Sequence, residues 1–205
     1  MIAIIDYDAG NLRSVEKAVA FLGAEAEITR DPEKILNAQG VILPGVGSFG
    51  DAMENLKKYG LPEVIADAVR RKIPFLGICL GLQLLFEESE ESPGMNGLGI
   101  CKGKILRIPP KPDLKIPHMG WNSLRYDHPG RLFSGIPEGS YVYFVHSYYL
   151  KASDPEIVKA SSFYSVDIHA SVEQDNVFGC QFHPEKSGET GLAILKNFIN
   201  LTEEG

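Results

Sequence analysis

Residues 73–86 constrain the fold of this chain more than any other segment: Ile-Pro-Phe-Leu-Gly-Ile-Cys-Leu-Gly-Leu-Gln-Leu-Leu-Phe. The apolar run over 73–78 reads as a buried strand, and 80–86 reads as the start of an amphipathic helix. Cys79 therefore falls on the turn between them, with Gly77 and Gly81 on either side to make a sharp turn sterically possible. This is the thiol version of the G-x-S-x-G nucleophile elbow, in which a strand-to-helix turn exposes the nucleophile. Unsatisfied amides at a helix N-terminus also favour a thiolate over a thiol. Most free cysteines are nevertheless small buried hydrophobes, and the elbow alone leaves both readings open.

The first half of the chain alternates strand and helix. Strands are expected over 2–6, 26–29 and 41–43, a helix over 12–22 with Leu12, Val15, Val19 and Leu22 on its apolar face, and helical segments over 53–58 and 62–71. Apolar strands separated by helices imply an α/β fold, an open and mostly parallel sheet covered by helices on both faces. From Gly97 onward, Gly, Pro and aromatic residues interrupt strand-like runs over 104–108, 141–149, 163–172 and 176–182, which suggests antiparallel additions before a last helix over 191–201. The Pro-rich stretch 108–112 reads as a surface loop. No repeat or low-complexity linker divides the 205 residues, and one domain over 1–205 is expected.

The net charge of −7 and the lack of a dense basic cluster argue against nucleic acid or an acidic membrane as partner. Lys57, Lys58 and the run Arg70, Arg71, Lys72 read as solvated helix surface. Three widely spaced cysteines, Cys79, Cys101 and Cys180, make neither a disulfide framework nor a C-x-x-C metal site, which suits a reducing compartment. The first residues enter a strand directly, and no apolar run approaches the ~20 residues of a membrane span. A cytoplasmic, unprocessed protein without metal or cofactor is expected.

A thiol nucleophile requires a base, a group to orient the base, and oxyanion donors. Among five histidines, His183 stands out because it follows the strand run 177–182 and opens His-Pro-Glu-Lys-Ser. The ends of strands in an open α/β sheet are where such sheets place their ligands. Pro184 is expected to hold the chain extended and to turn His183 and Glu185 toward one region, so that Cys79, His183 and Glu185 form a triad. A lone strand-end histidine is more often structural; its conjunction with the elbow favours the base. The glycine-rich loop Pro44-Gly45-Val46-Gly47-Ser48 ends another strand and can aim amides into a site, with Leu80 supplying a second donor. The same loop could cradle phosphate, but it lacks the G-x-x-x-x-G-K-[ST] pattern.

Together, Gly77 to Gln83 and His183-Pro-Glu185 resemble the triad, class I glutamine amidotransferases. More narrowly, the chain is similar to the glutaminase subunits of imidazole glycerol phosphate synthase. The supporting segments are Asp6-Tyr7, Gly10 to Val15, Pro44 to Phe49, Pro117-His-Met-Gly-Trp-Asn122, Tyr143 to Tyr148 and Gln181 to Ser187. Pro-Gly-Val-Gly replaces the Pro-Gly-Gly usual in other triad glutaminases.

The resemblance implies that Cys79 attacks the glutamine side-chain amide, His183 protonates the departing ammonia and Glu185 holds His183. It places the oxyanion donors on Gly45, Val46, Gly47 and Leu80, with a loop that needs a partner-induced rearrangement. Gln83, Glu91, Ser147 and Tyr148 are expected to position the substrate. Ammonia would pass to a cyclase subunit, a (β/α)₈ barrel forming a heterodimer with this chain, in histidine biosynthesis. Asn11, His118, Trp121, Tyr143 and Lys186 are expected on the docking surface, although Trp121 alone reads equally as core and Lys186 as a solvated lysine. Asp8 and Ser165 stand where glycine is usual, and an aspartate tolerates left-handed backbone better than most residues. Two other readings remain at this point: a glutaminase serving a synthase of pyridoxal phosphate or anthranilate, or a catalytically silent interaction protein on the same fold.

Overall fold

The computed structural model describes residues 1–203. In chain order the elements are β1 (Ile2–Ile5), α1 (Leu12–Phe21), β2 (Ala26–Thr29), α2 (Pro32–Leu36), β3 (Gly40–Leu43), α3 (Phe49–Lys58), α4 (Leu61–Arg70), β4 (Phe75–Ile78), α5 (Leu80–Leu84) and β5 (Glu88–Ser89). They continue with β6 (Gly103–Arg107), β7 (His118–Ser123), β8 (Tyr141–His146), β9 (Tyr148–Ala152), β10 (Val158–Tyr164), β11 (Val166–Gln174), β12 (Val177–Cys180) and α6 (Gly188–Glu203).

A seven-stranded sheet in the order β10-β11-β12-β4-β3-β1-β2 forms the centre. Its strands from β12 to β2 are parallel, and β11 runs antiparallel to both neighbours. Because side chains alternate across a strand, each apolar run feeds two cores. Ala3, Ile5, Val41, Leu43, Phe75 and Val177 pack with Ile35, Met53, Leu56, Leu61, Ile65 and Leu82 on one face. Ile2, Ile4, Ile42, Leu76, Ile78 and Phe178 pack with Val15, Val19, Ile194, Leu195 and Phe198 on the other. Burying each such Ile, Leu or Phe stabilises the fold by about 1.5–3 kcal/mol, which accounts for the covered, mostly parallel sheet expected from the sequence.

Several expected boundaries move. Helix α3 begins at Phe49 rather than 53, because Ser48 caps it and two of its first N–H groups find external acceptors: Phe49 N–H donates to Glu91 (2.8 Å) and Gly50 N–H to Ser92 Oγ (2.9 Å). Helix α2, not expected from the sequence, is short, with Asp31 as N-cap and Pro32 in its first turn. The run 141–149 is not one strand: it breaks at Ser147, so that β8 pairs with β7 in a two-stranded ribbon and β9 joins β6 in a separate three-stranded sheet. The run 163–172 spans the hairpin β10–β11, which turns at Ser165 with φ 64°. Ser165 is held there from outside: its Oγ donates to Pro109 O (2.7 Å) and its carbonyl accepts from Lys111 Nζ (2.6 Å). Asp8 is also left-handed, φ 65°, with its N–H on Asp6 Oδ1 (3.0 Å) and its carboxylate bonded by Arg30. Both departures from glycine thus occupy the backbone region that glycine would favour.

Candidate active site

Strand β4 runs between β3 and β12 and delivers Cys79 to the carboxyl end of the sheet. Cys79 adopts φ 54°, ψ −109°, and its N–H donates to Cys180 O (2.7 Å), extending the β4–β12 register through the turn. The two flanking glycines are sterically obligatory. A Cβ on Gly81 would lie 1.7 Å from Leu43 O, and one on Gly77 would lie 2.8 Å from the backbone of Gly81 and Leu82. Helix α5 ends at Leu84, two residues short of expectation, so little helix dipole builds up behind Cys79. The electrostatic partner in the structure is His183.

His183 lies just beyond the end of β12, and its N–H donates to Tyr143 O (2.9 Å). The chain after it does not stay extended as expected: Pro184–Lys186 forms a 3₁₀ turn. That turn still swings Glu185 back, and His183 Nδ1 lies 2.8 Å from Glu185 Oε1 with both side chains buried. A carboxylate only accepts, so Nδ1 carries the proton and Nε2 is left for the sulfur. Nε2 is buried, beside Cys79, with no hydrogen bond closed to it. Burial works against the imidazolium, but the attraction of Cys79 and Glu185 outweighs it and raises the pKa of His183 to about 9. Ser187 locks the turn, its Oγ donating to His183 O (2.6 Å) and accepting from Tyr143 N–H (2.9 Å). The other two thiols are inert by contrast, since burial pushes Cys101 and Cys180 up to about 12.

A pocket opens above the sulfur, lined by Val46, Gly47, Cys79, Leu80, Gln83, Glu91, Pro117, Val145, His146, Ser147 and Tyr148. Seven of the eight residues expected to bind the substrate or its oxyanion are in that lining, and the eighth, Gly45, packs against Leu80 beside it. Gly45 has no room for a Cβ, which would sit 2.2 Å from Tyr7 Oη, and Tyr7 Oη donates to Pro44 O (2.7 Å). The amide of Leu80 is engaged: it donates to Gly45 O at 3.4 Å. Gln83 is buried, its Nε2 shared between Tyr148 O (3.0 Å) and Gln181 Oε1 (3.0 Å), while Gln181 Nε2 points to the sulfur of Cys79 at 3.8 Å. Gln181, His146, Pro117 and Val145 carried no expected role. All four sit inside motifs read for their neighbours, and only the folded chain brings Pro117, Val145 and His146 to the pocket and Gln181 to the sulfur.

The residues expected on a docking surface separate into two groups. Trp121 is 55% exposed and Lys186 is exposed; Trp121 pairs across the ribbon with Tyr143 in an edge-to-face contact, centroids 6.1 Å apart. Met119 and Tyr141 extend the same outward face at 62% and 59% exposure. His118 does not belong to it. Alternation along β7 turns it inward, 3% exposed, stacked between Phe144 and Tyr164. Asn11 turns its amide onto Glu185 Oε1, so it supports the buried carboxylate rather than offering a free side chain. Among the described residues, no group of three or more His, Cys, Asp or Glu side chains is arranged to hold a metal ion. None of the described helices is long and apolar enough to cross a membrane.

The glutamine amidotransferase class-I family matches residues 3–201. The chain belongs to the class-I glutamine amidotransferase family. It is 52% identical over 207 residues to the imidazole glycerol phosphate synthase subunit HisH of Geobacillus sp. (strain WCH70), covering 99% of this chain and 98% of that protein. It is also 52% identical over 200 residues to the protein of the same name from Moorella thermoacetica, covering 98% and 94%. Among solved structures, PurLQS from Thermotoga maritima shares the fold with a TM-score of 0.76 at 23% identity, over 97% of both chains. The mostly parallel sheet with helices on both faces is thus the architecture of this family.

Proposed function

We propose that this chain is the glutaminase subunit of an imidazole glycerol phosphate synthase, releasing ammonia from glutamine for a cyclase subunit in histidine biosynthesis. The observation that carries the reading is the buried His183, bound through Nδ1 to Glu185 and leaving Nε2 beside Cys79 at the floor of a pocket. Half-identical relatives named as HisH subunits of that synthase support the choice of partner reaction. The family match over 3–201 supports one glutaminase domain across the chain.

In this reading the Cys79 sulfur adds to the side-chain carbonyl carbon of glutamine. Collapse of the tetrahedral adduct expels the amide nitrogen, which takes a proton from His183 Nε2 and leaves as ammonia, with a glutamyl thioester remaining on Cys79. Water then gives a proton to His183 and adds to the thioester, and a second collapse frees glutamate and restores the sulfur. Glu185 keeps His183 in the tautomer that presents Nε2 and stabilises the imidazolium.

The oxyanion requires donors, and here the resting chain withholds one. The Leu80 N–H that would serve as donor is already bonded to Gly45 O. Turning the Gly45 carbonyl away would free Leu80 and aim an amide of the 45–47 loop inward. Gly47 at φ 107° with open space around it, and Val46 at 40% exposure, leave room for that movement. We infer that docking of the cyclase drives it. The ribbon face carrying Trp121, Tyr143 and Met119, with Lys186 near, is the proposed docking surface. A (β/α)₈-barrel partner, a heterodimer and a cytoplasmic setting follow from the resemblance of the motifs.

Glutamate release measured with and without the cyclase subunit and its nucleotide ligand tests the proposal. Weak release alone and strong stimulation in the complex are expected. Absence of stimulation would point to a glutaminase of another synthase or to a catalytically silent interaction protein on this fold. Cys79→Ala should abolish glutamine hydrolysis and leave ammonia-driven synthesis by the complex intact; equal loss of both would refute the division of labour.

A further inference from the structure

Strand β8 belongs to the exposed ribbon and β9 to another sheet, and they meet at Ser147, on the wall of the pocket. A side-chain bridge spans this joint. His146 Nδ1 lies 2.8 Å from Tyr148 O, and since a carbonyl only accepts, Nδ1 carries the proton. At the far end Asn122 Nδ2, at 3.3 Å, only donates, so His118 Nε2 accepts and His118 Nδ1 carries the proton. His146 Nε2, 2.9 Å from His118 Nδ1, accepts it. The second proton of the Asn122 amide goes to Phe163 O at 3.0 Å. Every hydrogen in the chain has one assigned place. His118 is clamped between the rings of Phe144 and Tyr164, at centroid distances of 4.7 and 4.0 Å. Both histidines are buried. The same Tyr148 carbonyl accepts from Gln83, so the bridge ends on two neighbours of the substrate space.

We propose that His118 and His146 are a positioning pair, two neutral imidazoles that fix the backbone of Ser147 and Tyr148 against the ribbon and so set the wall on which glutamine is bound. The proposal rests on the glutaminase reading for its substrate. Neutrality is intrinsic to the arrangement: an imidazolium has two donors and no acceptor, and protonating either ring would set two N–H groups against each other.

The complex with the cyclase is the material for the test, with His118→Phe and His118→Asn as variants. Phenylalanine keeps the stack and removes the donor, orphaning His146 Nε2; asparagine offers an amide N–H near the place of ring Nδ1. Thermal unfolding, kcat and KM for glutamine, the ammonia-driven rate, and ¹⁵N imidazole spectra of His146 are measured. His118→Phe should raise KM for glutamine roughly tenfold, the scale of one lost buried hydrogen bond, with a smaller change in kcat and an unchanged ammonia-driven rate. His118→Asn should recover most of that loss. The wild-type spectrum should show His146 protonated at Nδ1 alone. An unchanged KM in His118→Phe, an equal loss in His118→Asn, a parallel fall of the ammonia-driven rate, or a proton on His146 Nε2 would each overturn the proposal. A wild-type complex unable to hydrolyse glutamine would instead refute the glutaminase reading, and the spectrum would still decide the hydrogen-bonded pair.

Discussion

Replacing Cys79 with alanine removes one of the two attractions that keep His183 charged, and the consequence can be read directly on the imidazole. In the intact site the pKa of His183 rises from its ordinary 6.5 to about 9 despite burial. At about 1.4 kcal/mol per pH unit, that rise is about 3 kcal/mol of net preference for the imidazolium. The two sources are Cys79 and Glu185, acting on a side chain that is only 1% exposed, where screening by solvent is small. In Cys79→Ala, burial then opposes Glu185 alone. The pKa should drop by about one unit or more from its wild-type value, the scale of losing one neighbouring opposite charge, since the attraction of the Cys79 sulfur is gone. Titration of the ¹⁵N imidazole resonances of His183 between pH 5 and 10, compared for wild type and Cys79→Ala, measures it. The wild-type ring should remain protonated through neutral pH and lose its proton near 9, whereas the variant should lose it earlier. A variant that titrates within half a unit of the wild type would show that Glu185 alone holds the proton. The sulfur–imidazolium pairing at the base of the mechanism would then fall.

Gly81→Ala should cost at least about 100-fold in glutamate release in the complex, because its Cβ would meet Leu43 O at 1.7 Å and the elbow must move by more than an ångström; activity near wild type would refute the elbow geometry. Ser187→Ala removes the hydroxyl shared by His183 O and Tyr143 N–H, and chemical denaturation should show a loss of about 1–3 kcal/mol. Trp121→Ala should weaken cyclase binding by about 2 kcal/mol or more, the scale of an aromatic anchor, as read by calorimetric titration. The unfolding midpoint of the free chain should barely change, because Trp121 is 55% exposed.

The elbow is legible in the sequence because its determinants are local. An apolar run, two glycines and a helical stripe occupy consecutive positions, and the contacts that forbid a Cβ at Gly77 come from the same few residues. His183 and Glu185 are legible as a pair because they lie two positions apart, even though the turn that joins them is 3₁₀ rather than extended. The turn at Ser165 is legible only through the resemblance, which puts a glycine there, and not from its own residues. A serine with φ 64° has no signature of its own, and what holds it is the Pro109–Lys111 loop, more than fifty residues away in sequence. Nor can the sequence decide His118 or Trp121. They lie three residues apart in one strand, and alternation puts them on opposite faces without saying which face is covered.

By itself, then, the sequence determined the parallel α/β class, the cysteine elbow with the histidine–carboxylate pair beside it, and the glycine-rich loop that faces them, since each depends on short-range pattern and residue chemistry. Only the tertiary structure decided which groups are free to act. Leu80 N–H is taken by Gly45 O, Asn11 by Glu185, and the two histidines by each other, while His183 Nε2 is left open. Hydrogen-bond capacity is a local property of a residue, but whether that capacity is already used depends on what the fold brings beside it.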